Sequence, residues 1–280
     1  MTTESRLSTF VANDGDRVVI QDWPLASGIP QRGTVIIVHG LGEHAGRYEH
    51  VAEHLNAWGF AVRGYDQCGH GESGGARGSL PTDSRLLDDL ADIIDSTRAS
   101  MRKGLPLILL GHSMGGLVVG RFVSLGIRPV SALIMSSPAL DAGMNALQKW
   151  LVALLPKIAP NLRIGNGLNP HFISHDPAVV AAYQQDPMVH DRISARLARF
   201  IAEAGPQTLA RAAHWTVPTL LLYAGDDRLL NPDGSRRFAA AAPKGVVTAK
   251  CFDGMYHEIF NEQDAEPVFA ELKRWLDARF

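Results

Sequence analysis

The fold the sequence predicts is a mostly parallel α/β sheet of about eight strands, covered by helices on both faces and interrupted once by a helical insertion. Three observations carry this. Short apolar, β-rich runs alternate with segments of helical periodicity along most of the 280 residues, as they do where helices cross over a parallel sheet. Runs such as Thr34 to Val38 and Pro106 to Leu110 are apolar at nearly every position, as strands buried on both faces must be. Between Pro138 and His214 the rhythm stops, and helices separated by Pro and Gly take over. A chain of this length buries one large core, so residues 1–137 and 215–280 read as that core and residues 138–214 as a helical cap or lid inserted after the sixth strand.

Each element follows from local chemistry. Ser5 to Ala12 and Arg17 to Trp23 flank the turn residues Asn13, Asp14, Gly15 and Asp16, which predicts an antiparallel hairpin. Thr34 to Val38 is the next strand. Tyr48, Val51, Ala52, Leu55 and Trp58 recur at helical spacing, and Gly59 ends that helix. Phe60 to Tyr65 is a strand. Behind Pro81, Thr82 or Asp83 caps a helix whose apolar stripe is Leu86, Leu87, Leu90, Ile93, Ile94 and Met101. Pro106 to Leu110 (strand), Met114 to Leu125 (helix) and Val130 to Ser136 (strand) complete the first half. After the insertion come Thr219 to Ala224 (strand), Asp233 to Ala242 (helix), Val246 to Phe252 (strand), and a last helix bearing Val268, Phe269, Leu272, Trp275 and Leu276.

Composition narrows the function classes. Hydrophobic residues make up 46% and charged residues 20%, the balance of an ordinary globular protein. The net charge is −2, with no basic surplus for a phosphate backbone, so no nucleic-acid partner is expected. Two cysteines, Cys68 and Cys251, are too few for a disulfide framework. Met1 to Leu7 show no apolar run behind a basic head, and no apolar stretch reaches the ~18 residues of a membrane span. A cytoplasmic location is expected, with peripheral membrane contact through the insertion. In the insertion, Met144, Leu147, Leu151, Leu154 and Leu155 are read along one helix face; with Trp150 and no acidic residue from Ala142 to Leu155, this stripe suits either core packing or a lipid-facing lid.

The chemistry is carried by Gly111-His112-Ser113-Met114-Gly115, which follows an apolar strand and opens a helix. A serine held on so sharp a strand-to-helix turn presents its hydroxyl, while glycines two positions before and after it remove the collision that side chains there would cause. The hydroxyl is a weak nucleophile at neutral pH and needs an imidazole to take its proton and a carboxylate to orient that imidazole. In this architecture both belong on loops beyond strand ends, in the order Ser, acid, His. Of the histidines after Ser113, only His257 follows a late strand. For the acid, Asp226 and Asp227 compete at the end of Thr219 to Ala224; Asp227 is preferred, Asp226 suits a loop carboxylate that bonds local amides, and Asp141 is the fallback. Charge developing on the carbonyl oxygen calls for amide donors: Met114, at a helix N-terminus, and Leu41, within His39-Gly40-Leu41-Gly42.

Two other patterns are set aside. His50, Glu53 and His54 match a zinc-peptidase spacing, but the helix is explained by its apolar face, and His50 and Glu53 read as solvent-face residues; no metal is expected. Gly69, Gly71, Gly74, Gly75 and Gly78 lack the Lys-Ser/Thr ending of a phosphate cradle and read as a flexible loop.

Taken together, the segments His39 to Tyr48, Gly69 to Ser73, Gly111 to Gly116, Asp186 to Met188, Asp227 to Leu229 and Tyr256-His257 resemble the monoacylglycerol lipase and lysophospholipase family of the α/β-hydrolase fold. The likeness spans nearly the whole chain and is weakest in the insertion. It implies Ser113, Asp227 and His257 as a catalytic triad, Leu41 and Met114 as oxyanion donors, and Glu43, Arg47, His112 and Tyr183 around a glycerol headgroup. It further implies cofactor-free hydrolysis of a small lipid ester through an acyl-enzyme. General short-chain esterase and serine peptidase or amidase activity are the rival expectations.

Overall fold

The computed structural model describes residues 4–12 and 15–280. The elements run β1 Arg6–Val11, β2 Arg17–Trp23, β3 Gly33–Val38, α1 Glu49–Ala57, β4 Phe60–Tyr65, α2 Arg85–Ser100, β5 Leu107–His112, α3 Met114–Leu125 and β6 Ala132–Ser136. The insertion follows with α4 Ala146–Ile158, β7 Arg163–Gly165, α5 Pro177–Gln185, β8 Arg192–Ser194 and α6 Ala195–Leu209, and the chain closes with β9 Thr219–Ala224, α7 Asp233–Ala241, β10 Val247–Phe252 and α8 Glu266–Asp277. β1 pairs in antiparallel register with β2, as the hairpin expectation required; the turn residues Asn13 and Asp14, like Met1 to Thr3, lie outside the described residues.

The eight-stranded sheet has the order β1-β2-β4-β3-β5-β6-β9-β10, with every pair from β4 to β10 parallel. Its side chains alternate between two cores. Val35, Ile37, Ile108, Leu110, Leu220 and Leu222 face Val51 and Leu55 of α1 and Phe269, Leu272 and Trp275 of α8. Ile36, Val38, Leu109 and Leu221 face Leu90 and Ile94 of α2 and Leu117 and Phe122 of α3. Every residue of β3, β5, β6 and β9 is buried, which is why those strands read as continuous apolar runs.

Several local expectations are corrected. α2 begins at Arg85, later than a Thr82 or Asp83 cap implies, because the Asp83 carboxylate is drawn to Arg199 of α6 at 2.5 Å. The insertion holds a two-stranded antiparallel ribbon, β7 with β8, whose three-residue strands are too short for a periodic signal. The glycine-rich segment is a tightly bonded loop: Gly69 donates to the Gly74 carbonyl, Gly78 donates to that of Gly69, and Asp66 accepts from the amides of Ala45 and Glu72. His50 is no solvent-face residue, since its ring packs on Phe269 and its Nε2 lies 3.2 Å from the Phe260 carbonyl. The apolar stripe of α4 divides: Leu151 and Leu155 line a half-open cavity together with Met144, which precedes the helix, whereas Leu147, Trp150, Leu154 and Ile158 are exposed. Cys68 and Cys251 are both free thiols. Among the described residues no helix is long and apolar enough to cross a membrane.

Candidate active site

Ser113 sits between β5 and α3 at φ 54°, ψ −119°, a conformation costly for a residue with a Cβ. The neighbours hold it there. Ser113 donates its amide to the Ser136 carbonyl of β6 at 3.0 Å, and its own carbonyl accepts from Leu117 and Ala139, each at 3.0 Å. A Cβ on Gly115 would overlap the carbonyl oxygens of Val38 and His39, and one on Gly111 would meet the backbone of Gly115. Both glycines are therefore demanded by close backbone approach, as their spacing about the serine implied.

His257 follows β10 and is 5% exposed; its Nδ1 lies 2.7 Å from Asp227 Oδ2 in the loop after β9. The other carboxylate oxygen of Asp227 accepts the amides of Leu229 and Leu230, each at 2.9 Å, so the carboxylate is fixed at both ends. Asp226 points outward and pairs with Arg228 at 3.0 Å, so the amide-bonding role expected of Asp226 belongs to Asp227. Asp141 is occupied by Arg237 and Asn231. Burial would lower the His257 pKa, but the facing Asp227 carboxylate outweighs it and raises the ring above its ordinary 6.5. For Asp227, burial pushes upward and the imidazole outweighs it, leaving the acid below its ordinary value. A proton shared on Nδ1 toward Asp227 leaves Nε2 as the ring's free nitrogen.

Ser113 and His257 line one cavity of about 480 Å³. Leu41 and Met114 lie on its wall, with Leu151, Leu155, Ile193 and Ile201 supplied by the insertion. The Ser113 hydroxyl and the amides of Leu41 and Met114 carry no hydrogen bond to another described residue. Glu43, Arg47, His112 and Tyr183 do not line this cavity; they form a polar cluster beside His257. The His112 and His257 rings lie 4.8 Å apart, and burial and then the neighbouring His257 push His112 down to about 4, so it is neutral near pH 7. The Arg47 guanidinium lies 4.8 Å over the Tyr183 ring and pairs with Glu43. Burial opposes ionisation of Glu43, yet the Arg47 guanidinium, helped by the hydrogen bond from Tyr48, outweighs it and holds it down at about 2.

Two features escaped the sequence reading. Glu258 completes the polar cluster by a two-pronged ion pair with Arg47, and its signal was its place directly after His257. His44 bonds Asp186 at 2.8 Å, tying the insertion to the loop after β3; Asp186 lay in a segment already singled out, but no local pattern names its partner. The insertion also grips both loops through its backbone: His190 donates to the Gly42 carbonyl, and Glu258 donates to that of Ile173, each at 2.8 Å.

A serine on a strand-to-helix turn of this parallel sheet, with an Asp-His pair on the loops after β9 and β10, defines an α/β-hydrolase. Residues 29–264 match the family described as "Serine aminopeptidase, S33". A monoacylglycerol lipase of Mycolicibacterium smegmatis is 36% identical over 96% of this chain and 95% of its own length. Among solved structures, the monoacylglycerol lipase of Paleococcus ferrophilus superposes with a TM-score of 0.82 at 33% identity, covering 99% of this chain and 100% of its own. A soluble variant of the monoglyceride lipase of Saccharomyces cerevisiae, in complex with a substrate analog, gives a TM-score of 0.88 at 27% identity over 100% and 96% of the two chains. The chain belongs to this monoacylglycerol lipase-like family of α/β-hydrolases and is a carboxylic-ester hydrolase.

Proposed function

We propose that this protein hydrolyses monoacylglycerol-like esters by acyl transfer to Ser113, with His257 as general base and then general acid and Asp227 as its orienting carboxylate. The observation that carries the reading is the His257–Asp227 bond of 2.7 Å, formed on the wall of the cavity that also holds Ser113. His257 takes the serine proton as the hydroxyl attacks the ester carbonyl, and the Leu41 and Met114 amides receive the oxyanion. His257 then protonates the leaving alcohol, and water releases the fatty acid by the reverse sequence. The apolar lining from the insertion suits an acyl chain. The polar cluster of Glu43, Arg47, Tyr183 and neutral His112 suits a hydroxylated headgroup. Two buried carboxylates, Glu43 and Glu258, balanced by one guanidinium, disfavour an anionic phosphodiester, which supports a glycerol ester over a lysophospholipid. Residues 138–214 act in this reading as a cap that completes the acyl pocket.

Ser113→Ala is expected to lower monoacylglycerol turnover by several orders of magnitude and to abolish labelling by a fluorophosphonate probe. Unchanged turnover would end the assignment. Since the family description names aminopeptidases, kcat/KM is to be compared on a monoacylglycerol and an amino-acid arylamide; the ester is expected to win.

A further inference from the structure

We propose that Glu258 and Arg47 form a buried positioning bridge that holds the loop of His257 and the loop that carries the Leu41 amide in one register, making Glu258 a positioning residue for ester hydrolysis. This rests on the reading of Ser113 and His257 given above. The path is continuous. Arg47 Nη1 and Nη2 donate to the two carboxylate oxygens of Glu258 at 2.8 and 2.7 Å, and Nη1 also donates to Glu43. Glu43 Oε1 accepts the Gly40 amide and the Tyr48 hydroxyl. Gly40 lies against the nucleophile, for a Cβ placed on it would stand 3.2 Å from the Ser113 Cβ. At the other end Glu258 is bonded in chain to His257, and its Oε2 accepts Asn261 Nδ2 at 2.7 Å.

Three features favour positioning over simple cohesion. A two-pronged Arg–carboxylate pair fixes orientation as well as distance. Buried ion pairs of this kind add little net stability relative to apolar packing, while loss of one partner strands a charge. The side chains of Arg47, Glu258 and Glu43 are 11%, 6% and 4% exposed, so solvent screens the bridge little. The groups facing the His257 ring are Asp227 at Nδ1, the neutral His112 ring, and the carboxylates of Glu258 and Glu43, with Arg47 between the last two. After burial and Asp227, Glu258 is the next group acting on the His257 pKa, and it raises it.

The test compares kcat, KM and the pH profile of kcat/KM on p-nitrophenyl butyrate for the parent, Glu258→Gln, Arg47→Lys and Ser113→Ala, with thermal melting of each. Glu258→Gln is expected to lower kcat by about 10²-fold, to leave KM within about threefold, and to move the acid limb to lower pH. Arg47→Lys keeps the charge but loses the fork; it is expected to lower kcat with the limb in place, and it serves alone if Glu258→Gln does not fold. A parent-like kcat and limb in folded Glu258→Gln, or a parent-like kcat in Arg47→Lys, would overturn the bridge. Persistent hydrolysis by Ser113→Ala would instead overturn the reading of the site, so the two failures are distinguishable.

Discussion

At the scale of single residues, the site depends on one imidazole whose charge is set by opposed effects. Burial pushes the His257 pKa down, and the Asp227 carboxylate pushes it up further, so the folded ring titrates above 6.5. In the proposed reaction only the neutral ring can accept the Ser113 proton. Activity on a soluble ester is therefore expected to rise with pH through that elevated value and to level off above it, measured as kcat/KM by pH-stat titration. Asp227→Asn removes the main raising charge and the acceptor that selects the Nδ1 tautomer. It is expected to cut kcat by ~10⁴-fold, as the same change does in a serine protease triad, and to shift the limb to lower pH. A limb left where it was would show that Asp227 does not face the titrating group. Sequence reasoning preferred Asp227 over Asp226, although both stand at the same strand end and no local pattern separates them, and the geometry agrees with that preference. The fold separates them by turning one carboxylate toward His257 and the other toward Arg228.

Among elements, β5 and α3 form the unit that holds Ser113 on its strained turn, and it was legible because each part of its signal is local. The apolar strand, the two glycines and the serine between them lie within one short segment, and the steric demand of each glycine is met by backbone atoms. Gly115→Ala would drive a methyl group into the carbonyls of Val38 and His39, which belong to β3 and the loop leaving it. It is expected to lower unfolding stability by ~1–3 kcal/mol in urea titrations and to reduce ester turnover together with it. Full stability in this variant would show that α3 does not pack as closely on β3 as the structure has it. The main sheet was legible for a similar reason, because strands buried on both faces announce themselves as unbroken apolar runs. The β7–β8 ribbon was not, since three residues per strand are too few to carry a period.

For the whole molecule, the arrangement that matters is the seating of the insertion on the sheet. It reaches the loop after β3 through His190 and Gly42, the loop of His257 through Ile173 and Glu258, and the buried polar cluster through Tyr183 and Arg47. Its helix α4 turns Leu151 and Leu155 inward to the cavity and leaves Leu147, Trp150 and Ile158 outward at 64%, 59% and 72% exposure. We expect that outer face to rest on lipid surfaces, where the lipid ester of the proposed function would be found. Trp150→Ser combined with Ile158→Ser is expected to reduce binding to phosphatidylcholine vesicles in a flotation assay by at least ~10-fold. Turnover of p-nitrophenyl butyrate in solution should stay near that of the parent. Equal vesicle binding by the two proteins would remove the membrane role of this face.

The order of amino acids alone determined the alternating sheet and the strained turn at Ser113, and set Asp227 and His257 after it at the ends of later strands. These rest on short-range rules of period, turn chemistry and backbone sterics, which act between neighbours in the chain. Tertiary structure alone decided how the α4 stripe divides between cavity and solvent, that His44 meets Asp186, and that Glu258 finds its partner in Arg47, 211 residues away. Such pairings depend on side-chain directions once distant segments have docked, and local sequence carries no record of that direction.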